Sequence, residues 1–163
     1  TPPLGAYAVI GNHERHAGLD TSLRFLREAG FAVLRGQTAH VGGIVLLGLD
    51  DTLGASSQAA DGSRSGAAPA LTTASDFVVL LKHQPVVDPA PRFDLQLSGH
   101  THGGQIFPFG GLTWLRYRVH DGLTELADGS RLYVNRGAGT WGPPIRLFSA
   151  PEITLISIRS SRG

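Results

Sequence analysis

Three short runs in this sequence carry side chains able to do chemistry together: Gly11-Asn12-His13-Glu14, Lys82-His83-Gln84-Pro85 and Gly99-His100-Thr101-His102-Gly103-Gly104. A neutral imidazole is a ligand for borderline divalent ions, and an amide oxygen suits harder ones. Asn12, His83, His100 and His102 are therefore candidate metal ligands. His100 and His102 stand at i and i+2, and on an extended segment both rings fall on one face, where they can serve neighbouring ions. The flanking glycines let the backbone turn tightly and approach an ion or a phosphate. His13 suits a proton donor or a charge stabiliser, with Glu14 to orient it. Each run also has an ordinary reading: a turn at Gly11-Asn12, a core-edge ring at His83, a solvated pair at His13-Glu14, a histidine pair in a polar loop. The conjunction is what points to a metal site.

Strand ends must bring these residues together. Residues 6–10, 31–34, 43–49, 77–81, 95–98, 131–135 and 153–158 read as strands, from their apolar and β-branched content. Residues 20–29 read as a helix, capped by Asp20 or Thr21, carrying Leu23 and Leu26 inward and stopped by Gly30. Three of the strands lead directly into the histidine runs. In open α/β sheets, ligands gather just beyond the carboxyl ends of strands. The continuous apolar strands fit a sheet covered on both faces, and the part-alternating 153–158 fits one with a solvated face. Residues 51–75, rich in Gly, Ala and Ser, read as a flexible surface insertion within a single domain spanning 1–163.

The chain has 163 residues, 41% hydrophobic and 17% charged, which suits one globular domain. A net charge of +1, with Lys82 the only lysine and no polybasic run, argues against nucleic acid as a partner. There is no cysteine, so disulfides and thiolate metal sites are excluded. No stretch reaches the ~18 apolar residues of a membrane span. The chain also lacks methionine, as a piece of a longer protein would.

Taken in order, Gly11-Asn12-His13-Glu14, His83 and Gly99-His100-Thr101-His102 resemble the last three blocks of the calcineurin-like metallophosphoesterase signature. Leu49-Asp50-Asp51, the run from Leu95 to Ile106, Tyr133-Val134-Asn135-Arg136-Gly137, Arg146-Leu147-Phe148 and Pro151-Glu152-Ile153 look like its bacterial, often membrane-associated branch. That branch includes phosphodiesterases and UDP-2,3-diacylglucosamine hydrolases. The resemblance covers nearly the whole chain. It implies an α/β (α+β) fold, a β-sandwich flanked by helices, here incomplete at the N-terminus. It implies two divalent metal ions (Mn, Fe, Zn, Ni or Co), with Asn12, His83 and His100 on one and His102 on the other. His13 would stabilise phosphoryl charge or protonate the leaving oxygen. A metal-activated hydroxide would attack phosphorus in a phosphodiester or pyrophosphate, either a small molecule or a lipid-nucleotide. Arg136 and Arg146 would contact substrate, or else serve as a structural salt bridge or loop clamp. Trp114 and Trp141 would line an apolar lip or simply pack, and His16, His40 and His120 lie outside the signature. The branch implies a membrane-associated or exported protein, otherwise a cytoplasmic one.

The family's first two blocks, Asp-x-His and Gly-Asp-x-x-Asp, lie upstream of Gly-Asn-His, and neither stands before Gly11. Four neutral ligands would then face about four positive charges. The expectation is a site whose carboxylates come from a missing N-terminal half or a partner chain. The alternative is a catalytically inactive fragment or a metal-binding or interaction module. Exposed sheet edges would accompany either.

Overall fold

The computed structural model describes residues 2–51, 73, 75–106, 108–117 and 119–160. Nearly all of the 51–75 insertion, and the Trp114 side chain, lie outside the described residues.

The chain opens with β1 (Ala6–Ala8), α1 (Asn12–Ala17), α2 (Leu19–Glu28) and β2 (Phe31–Val33). β1 and β2 pair in parallel, with the two helices as the crossover between them. Six further strands follow: β3 (Gln37–Val41), β4 (Ile44–Leu49), β5 (Val78–Lys82), β6 (Leu95–Ser98), β7 (Gly122–Glu125) and β8 (Arg131–Val134). A third helix, α3 (Phe109–Arg116), lies between β6 and β7. The six form one mixed sheet in the order β3-β4-β5-β6-β8-β7. Its four inner strands run parallel, and β3 and β7 close the edges antiparallel. The mixed α/β class expected from the sequence is thus the one found.

The inner strands are apolar on both faces for a physical reason: each is flanked by neighbours and covered above and below. Val45, Leu47 and Leu49 of β4 pack with Val78 and Leu80 of β5 and with Phe93 in one cluster. Full burial of such a side chain contributes about 1.5–3 kcal/mol. On the opposite face, Tyr7 and Ala8 of β1 share a cavity of about 330 Å³ with Leu81, Leu97, Tyr133 and Thr154. The two sheets therefore approach each other at the end where β5 and β6 finish.

Several elements differ from expectation. α2 begins at Leu19 rather than at Asp20 or Thr21, with Gly18 as the N-cap. Asp20 falls instead in the first turn, where its charge complements the helix dipole. Asn12–Ala17 is a helix where a turn looked adequate, and β3, β7 and α3 carry too little periodic apolar signal to be read. Residues 153–158 form no strand. They run beside β8, both of whose edges are already taken by β6 and β7, so no ladder is open there. Thr154 holds the segment instead, accepting from Asn135 Nδ2 at 2.8 Å and pairing with Tyr133 at 2.8 Å.

Candidate metal centre

The carboxyl ends of β4, β5 and β6 deliver Asp50-Asp51, His83-Gln84 and His100 to one edge of the sheet, and the chain leaving β1 brings Asn12 to the same place. Contact at that point is close. The rings of His83 and His100 meet edge to face, 4.9 Å between centroids. His83 Nε2 lies 3.0 Å from Asn12 Oδ1 and 3.0 Å from His100 Nδ1. One proton on His83 Nε2 can satisfy only one of these contacts well, since the amide oxygen accepts and a neutral Nδ1 facing N–H must also accept. Adjacent ligands on a six-coordinate divalent ion, at bond lengths of about 2.1 Å, lie about 3 Å apart. Each of the two neighbouring pairs, Asn12–His83 and His83–His100, therefore has the spacing and the chemistry of adjacent ligands on a divalent cation. Among the described residues no cluster of three or more His, Asp or Glu side chains is placed for an ion, so the amide oxygen of Asn12 is essential to that fit.

His102 is not placed as the extended i, i+2 pattern suggests. His100 and His102 both take left-handed backbone, φ 69° and 51°, and His102–Gly104 forms a short 3-10 turn. β6 ends at Ser98, and hydrogen bonds from Thr101 N to Gly99 O and from Gly104 N to Thr101 O curl the chain immediately. The His102 ring is turned toward Arg146, whose Nη2 lies 3.3 Å from Nδ1. One donor of the expected second metal position is thus on this chain, within electrostatic reach of His100 rather than in contact with it.

His13 is exposed on α1, close enough to His83, His100 and His102 to oppose their protonation. Glu14 does not orient it. Consecutive helical residues point about 100° apart, and Glu14 instead caps α1 by accepting from the Gly11 N–H at 2.9 Å.

The two arginines marked for substrate are engaged within the fold. Arg136 Nε donates to Glu152 Oε2 at 2.9 Å. Arg146 donates to the carbonyls of Arg136, at 2.8 Å, Gly137, at 2.9 Å, and Gly139, and reaches the carbonyls of His102 and Ser149. It is a loop clamp that ties residues 136–149 to the His102 turn. Gly103, at φ 58°, sits under this clamp, where a Cβ would lie 2.7 Å from Ser149 Oγ. Trp141 is exposed, and Gln105 brackets its backbone through bonds to its N–H and carbonyl, 2.6 and 2.7 Å. His16 and His40 are exposed, and His120 faces Asp121 at 3.4 Å.

Sequence reading missed four participants. Asp51, Gln84 and Tyr117 are hydrogen-bonded in series, with the Tyr117 ring against His100, and Arg116 lies over the Tyr117 ring, 5.0 Å from its centroid. Leu49-Asp50-Asp51 stood inside a family-like block and Gln84 in the run that holds His83, but nothing in one sequence says which way their side chains turn.

Electrostatics favour neutral rings. Burial pushes the His100 imidazole down to about 4, assisted by repulsion from His83, His102, His13 and Arg116. Burial also lowers His83, against an opposing pull from Asp51 and Glu14, and it lowers His102 with help from the Arg146 guanidinium. An unfolded histidine keeps its ordinary value near 6.5. As pH falls, the unfolded chain takes up protons before the folded one does. The stability present above about 6.5 is therefore lost progressively between about 6.5 and 4. Calorimetry of the metal-free protein should show the melting temperature falling across that window, with a shallower slope for His100→Ala. An unchanged slope would place the acid sensitivity elsewhere.

Comparison with known proteins follows the same line. No family model matches the chain, and no solved structure matches it. It is 42% identical, over 97% of its length and 62% of the relative's, to an uncharacterized metallophosphoesterase of Aquifex aeolicus. It is 37% identical to uncharacterized metallophosphoesterase Cj0846 of Campylobacter jejuni, over 97% of this chain and 43% of the other. A transmembrane protein with metallophosphoesterase domain from Danio rerio is 33% identical, over 98% of this chain and 40% of that one. The chain thus spans from 40% to 62% of the length of these curated relatives. They are bacterial and animal, so the likeness reaches beyond a bacterial branch. These relatives, 33–42% identical over nearly the whole of this chain, are named as metallophosphoesterases or as carrying a metallophosphoesterase domain, and it is to them that the sequence is similar.

Proposed function

We propose that this chain carries one side of the metal centre of a phosphoric ester hydrolase acting on a phosphodiester or pyrophosphate. The observation that carries the reading is the donor set itself: Asn12 Oδ1, His83 Nε2 and His100 Nδ1 in successive 3.0 Å steps at the ends of strands. Divalent ions held there would supply Lewis acidity toward phosphoryl oxygen and lower the pKa of water. Asn12, His83 and His100 would hold one ion, and His102 would serve a second. The three imidazoles need no deprotonation at neutral pH, since their surroundings already favour the neutral form. His13, exposed at the mouth, is free to approach a leaving oxygen and give it a proton. The donors on this chain are all neutral, so the reading includes carboxylates from another segment or from a partner chain to balance the ions.

Arg116 takes the substrate-anion role within this reading, because its exposed guanidinium stands beside Tyr117 and His100 while Arg136 and Arg146 are engaged internally. Arg116→Ala should raise KM for a diester about tenfold with a smaller change in kcat, as loss of one charge-assisted contact at an exposed site would. An unchanged KM would remove Arg116 from the substrate path.

A lipid-nucleotide substrate of the UDP-2,3-diacylglucosamine type, and with it a membrane-associated or exported location, is a finer proposal that rests on the family-like blocks at Leu95–Ile106 and beyond Tyr133. Two animal relatives are named transmembrane proteins. Among the described residues of this chain no helix is long and apolar enough to cross a membrane.

A second reading, an interaction module completed by another chain, is favoured by one observation. A groove of about 910 Å³ beside β8 is lined by Phe77, Leu123, Leu155 and Ile158, and Leu155 is 93% exposed. Elemental analysis after loading with Mn²⁺ or Zn²⁺ and desalting decides between the readings, with His100→Ala alongside. Bound metal lost in His100→Ala, with hydrolysis of an aryl phosphodiester once the segment or partner that supplies the carboxylates is present, is the expected result. No metal on the wild-type chain would sink the hydrolase reading for this chain alone and leave the module.

A further inference from the structure

We infer that Asp51, Gln84 and Tyr117 form a buried positioning chain that orients the His100 ring and sets a negative charge beside the Asn12–His83–His100 donors. The inference rests on the metal-centre reading above and assigns residues outside the donor runs to the same site.

The topology makes the chain possible. β4 and β5 run parallel with Leu49 opposite Lys82, so Asp51 and Gln84, each two residues further on, emerge side by side at the sheet edge. Both are almost completely buried, at 3% exposure. Gln84 Nε2 donates to Asp51 Oδ2 at 2.7 Å, and Tyr117 OH donates to Gln84 Oε1 at 3.0 Å. The direction of this relay follows from charge. An ionised carboxylate only accepts, so the amide must turn its NH₂ toward Asp51. That leaves the amide oxygen for the phenol, which must then be the donor. Each proton along the chain is thus set by the acid at its buried end.

At the other end stands the ring of His100. Tyr117 meets it edge to face, 5.7 Å between centroids at 81°. His83 meets it from another side at 4.9 Å and 78°. His100 has left-handed backbone, φ 69°, which a non-glycine residue holds only when its surroundings dictate it. Boxed between two rings, the imidazole cannot rotate without losing one of these contacts. The backbone of the chain is tied as well, with Ser98 Oγ donating to the Gln84 carbonyl at 3.3 Å. Asp51 also stands close behind the donors by connectivity, since the amide whose proton it accepts belongs to Gln84, the residue directly after His83. Buried partners of this kind, hydrogen-bonded behind the ligands, tune metal affinity by about 10- to 100-fold when changed.

The test is a Co²⁺ titration of the full protein, followed by visible absorption. Asp51→Asn keeps an acceptor for Gln84 and removes the charge. Tyr117→Phe keeps the ring and removes the hydroxyl. Each should bind Co²⁺ about 10- to 100-fold more weakly, with altered band intensity, while Arg92→Ala at the surface behaves as wild type. Wild-type affinity and spectrum in both variants would overturn the proposal, because Asp51 and Tyr117 would then be packing residues only. If Asp51→Asn fails to fold, Tyr117→Phe decides alone. Absence of any Co²⁺ bands in the wild type is a different result, which removes the metal-centre reading and this proposal with it.

Discussion

Gly11→Ala should push His83 away from Asn12 and so abolish metal binding at the proposed centre. Gly11 is buried, with extended backbone (φ −98°, ψ −174°), so any residue could adopt its conformation, and the constraint is steric. A Cβ there would lie 2.8 Å from His83 Cδ2 and Cγ and 2.9 Å from Cε1. Contacts so short cannot be relieved by a flexible tail, because the neighbour is a rigid ring lodged between Asn12 and His100. Either the ring swings away or the β1–α1 junction backs off, and both movements break the 3.0 Å approach of His83 Nε2 to Asn12 Oδ1. Overpacking of this kind destabilises by about 1–3 kcal/mol. The loss of bound metal should be larger in proportion, since coordination depends on positions to a few tenths of an ångström. Thermal unfolding and elemental analysis of Gly11→Ala measure the two separately. A variant that retained metal at the wild-type level would show that His83 is not held where Gly11 leaves room for it.

The second large effect lies beneath the site. Asp50, 6% exposed, accepts on one oxygen from Arg15 Nη2 at 2.9 Å and from Arg35 Nε and Nη2 at 2.9 and 2.7 Å. Arg15 belongs to α1, Arg35 follows β2, and Asp50 follows β4. One carboxylate therefore joins the two-stranded sheet, the helix that begins at Asn12 and the six-stranded sheet. Asp50→Ala would leave two guanidinium groups beside each other without the anion. Removing one partner of a buried pair costs about 3–5 kcal/mol. Arg15 keeps 26% of its side-chain exposure and can turn partly to water, which places the expected loss near the lower end, about 3 kcal/mol. Urea denaturation should show it, and Asp50→Asn, which keeps an acceptor, should recover part. A loss below about 1 kcal/mol would mean that both arginines find solvent, as exposed pairs do. Because α1 carries Asn12, metal affinity should fall alongside stability.

These two effects divide what could be read from the chain from what could not. By itself the sequence determined the inner strands, because residues paired on both edges and covered on both faces must be continuously apolar, as 44–49 and 78–81 are. It determined α2 through the spacing of Leu23 and Leu26 and the stop at Gly30. It also marked Asn12, His83 and His100 as candidates, through the conjunction of three polar runs after apolar strands rather than through any one of them. Only the tertiary structure decided the rest. The edge strands and α3 draw their stability from neighbours rather than from periodicity, and residues 153–158 lost their strand because β8 had no edge left to offer. His102 stood beside His100 in sequence, yet a left-handed turn sends its ring toward Arg146. Arg136 and Arg146 suited phosphate and internal bonds alike, and only the fold shows the carbonyls and the carboxylate that they engage. Asp51, Gln84 and Tyr117 lie far apart along the chain. They meet only because β4 and β5 run parallel and end together and α3 delivers Tyr117 to the same place, which is a fact of register and packing that no local stretch of sequence encodes.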